Sequence, residues 1–376
     1  MLSFALGSRR ESAGAEADAA SVGMDPDALE RAVDLVRARS ARSQLHVIRR
    51  GEVVLDRSFG CDADALFWTF SACKPYPALL VHLLAERSQL GLDEPIAAHW
   101  PRFGRNGKER VTVRHVLQHR SGILTPGGTL GDALTMTSWG LFAARIEAAR
   151  LRWEPGEVPA YEPISYGFIL GELLERVTGR PFVELVRSEI IEPLGLRDSH
   201  FGLPEELWDR HVDVRGEGLA AGIAGRAVNR RHVRAAVIPA AGLSTTARDL
   251  AALYRVLLTD GQAEQGRILS AHTLQAALVP SSDGELDRGT RSHIRWSQGF
   301  QLGGPRGHEG AYTPMGERSS PRAFGHNGSN CCMAWADPER ELVFAYTSDR
   351  LQDGERAKRH LADLADAVIG ACEEAA

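Results

Sequence analysis

Lysine is scarce in this 376-residue chain: Lys74, Lys108 and Lys358 stand among 44 basic residues, the rest being arginine. Each lysine is therefore worth weighing as a chemical group rather than as solvating surface. A basic excess is lacking as well. The formal charge of −5 leaves no global positive field to hold a phosphate backbone, so nucleic acid is not an expected partner. No apolar stretch approaches the roughly 20 residues of a membrane span, so no membrane partner is expected. The apolar residues 2–6, closed by Arg9, Arg10 and Glu11, fall short of a secretory h-region, and the expected compartment is the cytoplasm. Five cysteines, Cys61, Cys73, Cys331, Cys332 and Cys372, are odd in number and two are adjacent, which favours reduced thiols over a disulfide framework. Missing too are the Gly-x-x-x-x-Gly-Lys phosphate loop, His-Glu-x-x-His and Cys-x-x-Cys, so neither a nucleotide nor a metal cofactor is expected. The absence of Gly-x-Ser-x-Gly removes the nucleophile elbow of an α/β-hydrolase.

What remains is an ordinary globular composition, 43% apolar and 25% charged, without a repeat of solenoid length. Residues 1–24 show no sustained apolar face and read as a loose arm. Helical spacing follows over 25–39, then two alternating runs, 44–48 and 53–59, separated by Arg49-Arg50-Gly51-Glu52 as in a β-hairpin. The period turns helical over 71–87, with Pro75 and Pro77 tolerated in the first turns. From 91 to 239 prolines punctuate helix and loop, including a helix over 165–177 that stops before Gly179. A further helix spans 246–258, with Thr245 as its expected cap. Strand-like runs return at 299–302, 329–337 and 341–347, before a closing amphipathic helix over 355–372. Strands at both ends and helices between them imply one sheet domain, residues 25–90 and 240–376, split by a mainly helical insertion over 91–239.

The sharpest local feature is Phe70-Ser71-Ala72-Cys73-Lys74. One helical turn separates Ser71 from Lys74, so the amine can reach the hydroxyl while Cys73 points elsewhere. A buried lysine of lowered proton affinity is one way to activate a serine without histidine. Downstream lie residues 111–123 with Gln118-His119-Arg120-Ser121-Gly122, then Trp153 to Tyr161, then residues 241–250, then Phe324-Gly-His-Asn-Gly-Ser329.

This order and spacing resemble the serine β-lactamase and penicillin-binding-protein superfamily, nearest its class C β-lactamase-related branch of family VIII carboxylesterases and transesterases. The resemblance runs from about residue 26 to 370. It implies an α/β (α+β) β-lactamase-like fold: an antiparallel sheet flanked by the terminal helices, with a helical insertion. It also implies Ser71 as acylated nucleophile, Lys74 as its base or proton shuttle, and Tyr161 as the phenol that passes a proton to the leaving group. His326, Asn327 and Gly328 match the Lys-Thr-Gly motif in a His-x-Gly form, and the amides of Ser71 and Ser329 would make the oxyanion hole. His119 matches a landmark that fixes a turn. Bland alternatives stand beside these: a solvated Lys74, a core-closing Tyr161, a structural His326. Trp68, Trp153 and Trp296 are candidates for the pocket wall.

The second motif, normally Tyr-x-Asn, reads Tyr161-Glu162-Pro163 and so lacks the amide that helps hold an amide-bearing substrate. With His326 in place of a lysine, the expectation is an esterase acting on a small-molecule ester or amide through a covalent Ser71 intermediate, with no cofactor. A transacylase using an amine or alcohol acceptor, a β-lactamase or D-Ala-D-Ala peptidase, and a non-catalytic binding scaffold are the alternatives.

Overall fold

The computed structural model describes residues 11–126, 128–263, 266–304, 313–352 and 354–374. Its centre is a seven-stranded antiparallel sheet. In chain order the strands are β1 (Glu11–Ala13), β2 (Ser43–Arg49), β3 (Glu52–Phe59), β4 (Gln301–Leu302), β5 (Phe324–Gly328), β6 (Cys332–Asp337) and β7 (Leu342–Ser348). In space they run β1-β3-β2-β7-β6-β5-β4, so the amino-terminal hairpin is zipped onto the carboxy-terminal strands along β2 and β7.

Side-chain alternation builds two cores from one sheet. Met333, Trp335, Phe344 and Tyr346 face one way, with Leu45 and Val47, under α1 (Pro26–Arg39) and the terminal helix Glu355–Glu374. Cys332, Ala334, Ala336, Val343 and Ala345 face the other way. There they meet Leu250, Leu253 and Leu257 of the helix Ala247–Leu258 and continue into the core of the helical region. Helix α2 (Pro75–Glu86) is buried from Pro75 to Leu84 and packs against α3 (Ser165–Thr178), which Gly179 terminates at φ 70°. In chain order the Ala247–Leu258 and Glu355–Glu374 helices are α4 and α5. Among the described residues no helix is long and apolar enough to cross a membrane, and no cluster of histidine, cysteine and acidic side chains could hold a metal ion.

Several expectations change in detail. Of the segment read as a loose arm, residues 1–10 lie outside the described residues, but β1 pairs with β3 and residues Ala19–Val22 form a 3₁₀ turn capped by Asp18. Ion pairs hold this edge, among them Glu16 to Arg57 at 2.5 Å and Glu11 to Arg37 at 2.9 Å. The helix over 246–258 is capped by Thr246, whose hydroxyl accepts from the Asp249 N–H at 3.2 Å; Thr245 belongs instead to a strand, Leu243–Thr245, paired with Phe67–Trp68 and His200–Phe201. The strand expected over 329–337 starts only at Cys332, because Ser329 and Asn330 take positive φ and make the hairpin turn between β5 and β6. His326 sits in the middle of β5.

Candidate active site

The expected continuous helix over 71–87 is broken at its beginning, and the break makes the site. Phe70–Cys73 is a 3₁₀ turn, closed by the Lys74 N–H donating to the Ser71 carbonyl at 3.0 Å, and α2 begins only at Pro75, whose ring needs no amide partner there. In a 3₁₀ turn residues i and i+3 eclipse, which stacks Lys74 over Ser71 more directly than an α-helix would. Phe70, just before the serine, holds a positive φ of 48°, a backbone strain of the kind concentrated at functional turns.

Lys74 is fully buried. Its Nζ lies 3.0 Å from Ser71 Oγ, 2.7 Å from the Pro163 carbonyl oxygen and 3.0 Å from that of Ala240. Burial lowers its pKa to about 7, so the free amine is populated near neutrality. A neutral amine has two N–H donors and one lone pair. The two carbonyls can only accept, so they take the two N–H groups and leave the lone pair for the Ser71 hydroxyl. Tyr161 donates its phenolic O–H to the same Ser71 Oγ at 2.5 Å. Burial raises the Tyr161 pKa, which keeps the ring a phenol and a donor. Cys73 points away, its Sγ 3.5 Å from the Pro239 carbonyl, and burial pushes its thiol up to about 12.

The strand β5 forms the facing wall. A Cβ on Gly328 would sit 2.0 Å from the Thr69 carbonyl oxygen, so only glycine lets this strand reach the Ser71 turn. Beyond it Ser329 is exposed in the hairpin turn. His326 is buried, its Nδ1 2.8 Å from the Asn327 carbonyl, and burial together with repulsion from Lys74 lowers its pKa to about 3. It is therefore a neutral imidazole, not a stand-in for a cationic lysine. Asn327 donates its backbone N–H to Gln301 Oε1 at 2.9 Å.

Between these walls lies a cleft of about 250 Å³ whose lining includes Ser71, Tyr161, Pro163, Trp296, Asn327 and Ser329. Trp296 stacks on Tyr161 at 5.3 Å and 4°, as expected of a wall residue. Trp68 is buried beside Phe70, outside the lining, and Trp153 is not part of it. His119, at φ 55°, packs its ring 4.9 Å from Tyr161 and 4.7 Å from Trp296, wedging the aromatic pair in place.

Sequence reasoning missed Asp287. Fully buried, it accepts from the Tyr161 N–H at 3.0 Å, Trp296 Nε1 at 2.9 Å, and the N–H groups of Gly289 and Thr290. One carboxylate thus orders the phenol's backbone, its stacking partner and the loop that carries Thr290 to the cleft. The Asp-x-Gly-Thr order at 287–290 is a turn signal that could have singled it out.

The profile of the family described as Beta-lactamase matches residues 32–368. The chain belongs to the Beta-lactamase family. It is similar to the esterase/beta-lactamase LipL of Mycobacterium tuberculosis, 29% identical over 320 residues, which covers 77% of this chain and 70% of LipL. Among solved structures, a family VIII carboxylesterase superposes with a TM-score of 0.81 at 24% identity, covering 96% of this chain and all of the other. EstA from Arthrobacter nitroguajacolicus Rue61a gives 0.78 at 26% identity, covering 96% and 99%. As a Beta-lactamase-family chain this is a serine hydrolase, and its sheet, paired terminal helices and intervening helical region are the β-lactamase-like α/β fold.

Proposed function

We propose that this Beta-lactamase-family hydrolase is a carboxylesterase acting through a covalent Ser71 ester. One observation carries the reading: Ser71 Oγ lies between a buried amine at 3.0 Å and a phenolic donor at 2.5 Å. In acylation the Ser71 proton passes to Lys74 Nζ as Oγ attacks the substrate carbonyl. The C–O bond to the leaving alkoxide then breaks, Tyr161 gives that oxygen its proton, and the Lys74 ammonium restores the phenol. In deacylation water, or an alcohol or amine acceptor, attacks the acyl carbon, and its proton returns through the same groups to Ser71.

The oxyanion donors in this reading are the N–H groups of Ser71 and Ser329. The first is supported by its place in the opening turn of a 3₁₀ helix, where amides have no intrahelical acceptor, and the second by the close approach of β5 at Gly328. An ester is favoured over a β-lactam or peptide by two features: Pro163 supplies a backbone carbonyl already engaged by Lys74 where the family motif has a side-chain amide, and His326 is neutral. We place the protein in the cytoplasm, a reading supported by five free cysteines and tested by cell fractionation.

The test is intact mass after brief exposure to a fluorophosphonate and to p-nitrophenyl butyrate. Wild type should gain the adduct and Ser71→Ala should not; a wild type that stays unmodified by both would overturn the reading. Decay of the butyryl adduct with and without added alcohols or amines tells hydrolysis from transfer, and rapid nitrocefin turnover would replace esterase by β-lactamase.

A further inference from the structure

The mechanism above leaves one buried acid beside the site without a task. Glu162 stands between Tyr161 and Pro163, the two residues that touch Ser71 Oγ and Lys74 Nζ, and only 1% of it is exposed. Its backbone N–H donates to His119 Nδ1 at 3.3 Å, so the segment is pinned on both sides of the carboxyl. Oε1 accepts the Ser121 hydroxyl at 2.7 Å and, more weakly, the Ser121 N–H at 3.4 Å. Oε2 is buried and meets no partner among the described residues. A buried carboxyl with one oxygen unserved is costly unless it is protonated or faces a positive charge.

The groups around it define the choice. The basic side chain that acts on it is Lys74, whose charge favours its ionised form. Asp287 on the 280–300 loop is an acid already committed to five donors, and it opposes ionisation of Glu162. Tyr166 on α3 and Tyr161 beside it are phenols held neutral by burial, and His119 and His326 are imidazoles held neutral in the same way. Arg120, next to Ser121, is engaged by Glu285 and by the carbonyls of Gly156 and Ser281.

Resting on the acyl-enzyme reading, we propose that Glu162 is a positioning residue for the proton of the nucleophile: it sets, through the field of its carboxyl, whether Lys74 stands as free amine or ammonium. With the carboxyl protonated, Lys74 has no counter-charge and keeps its lone pair on Ser71. Where the carboxyl is already ionised before substrate binds, its proton having gone to solvent, it stabilises the ammonium that Lys74 becomes on taking the Ser71 proton while the tetrahedral intermediate stands. Burial supports this pairing, raising Glu162 to about 8 and lowering Lys74 to about 7, so both groups titrate across neutral pH. A glutamate between the tyrosine and the third motif position thereby couples the proton affinity of Lys74 to its own charge.

The experiment follows the rate of acyl-Ser71 formation by quenched-flow mass spectrometry with p-nitrophenyl butyrate, from about pH 5 to about 9. Glu162→Gln keeps the shape and the Ser121 contact but can never be an anion. Lys74 then holds its proton less tightly, and the rising limb should move to lower pH by about one unit, the scale of one close opposite charge. Ser121→Ala, which removes the donor that favours the carboxylate, should move it the same way by less. A folded Glu162→Gln protein whose limb coincides with that of wild type overturns the proposal, and if this variant does not fold, an unmoved limb in Ser121→Ala does so. A wild type that forms no adduct at any pH overturns the acyl-enzyme reading itself and this inference with it, whereas adducts with superimposable limbs overturn the inference alone.

Discussion

Two of the three lysines are fully buried, and the difference between their cages separates chemistry from architecture. Lys108 donates from Nζ to three carbonyls: Arg105 at 2.6 Å, Glu147 at 3.0 Å and Ala149 at 2.5 Å. Three acceptors match the three N–H bonds of an ammonium, and the Glu147 charge favours that form, although burial still lowers the pKa to about 8. Around Lys74 a hydroxyl replaces the third carbonyl, which leaves a place for a lone pair. The same side chain is thus a staple in one cage and a base in the other, because one neighbouring oxygen carries a hydrogen.

The largest effect should separate the two cages by activity. Lys74→Met should lower the rate of acyl-Ser71 formation by about 10³-fold, the scale of losing a positioned base, while Lys108→Met stays within about threefold of wild type. Equal losses in the two variants, measured with p-nitrophenyl butyrate, would erase the distinction. Next in size is pH. Only the amine form of Lys74 accepts the Ser71 proton, so acylation should rise with pH through about 7 and fall about tenfold per unit below it. Titration of Lys108 near 8 should leave no inflection in that profile.

The smallest effect should run the other way. Lys108→Met removes three hydrogen bonds, one buried and two part-buried, and should lower unfolding stability by about 3 kcal/mol, read from denaturant melts. Lys74→Met takes the donor from two carbonyls, but it also removes an amine whose protonation is opposed by burial. In the unfolded chain that amine binds a proton below about pH 10, and in the folded chain only below about 7, so wild type loses stability as pH falls through that window. The stability difference between Lys74→Met and wild type should therefore shift in favour of the variant between about pH 10 and about 7, and a pH-independent difference would contradict the buried-amine account.

Much of this contrast could be anticipated from residue order. Ser71, Lys74 and Tyr161 follow from spacing and motif, and the alternation over 341–347 correctly announced β7. What escaped the sequence were backbone atoms and register. A motif read through side chains sees Pro163 as the loss of an asparagine, whereas the structure uses its carbonyl to hold Lys74. A turn signal marks Asp287 and a strand-like run contains Gln301, but neither says which distant residue it meets, so the fold is what reveals that they brace Tyr161 and Asn327. The 3₁₀ turn at Phe70–Cys73 differs from an α-helix by a single hydrogen-bond register, a choice set by Pro75 and by packing against β5 rather than by propensity. Neighbouring threonines likewise left the cap ambiguous until Thr245 was committed to a strand.

The seam between β2 and β7 bears on how the chain is made. During synthesis the hairpin of β2 and β3 emerges well before the strand that covers its open edge. Throughout that interval the buried-to-be row from Ser43 to Arg49 is an unpaired edge, the kind of surface on which nascent chains recruit chaperones or stick to one another. Acylating competence should appear late and abruptly, and products released before β7 should accumulate as aggregates rather than as partly active enzyme.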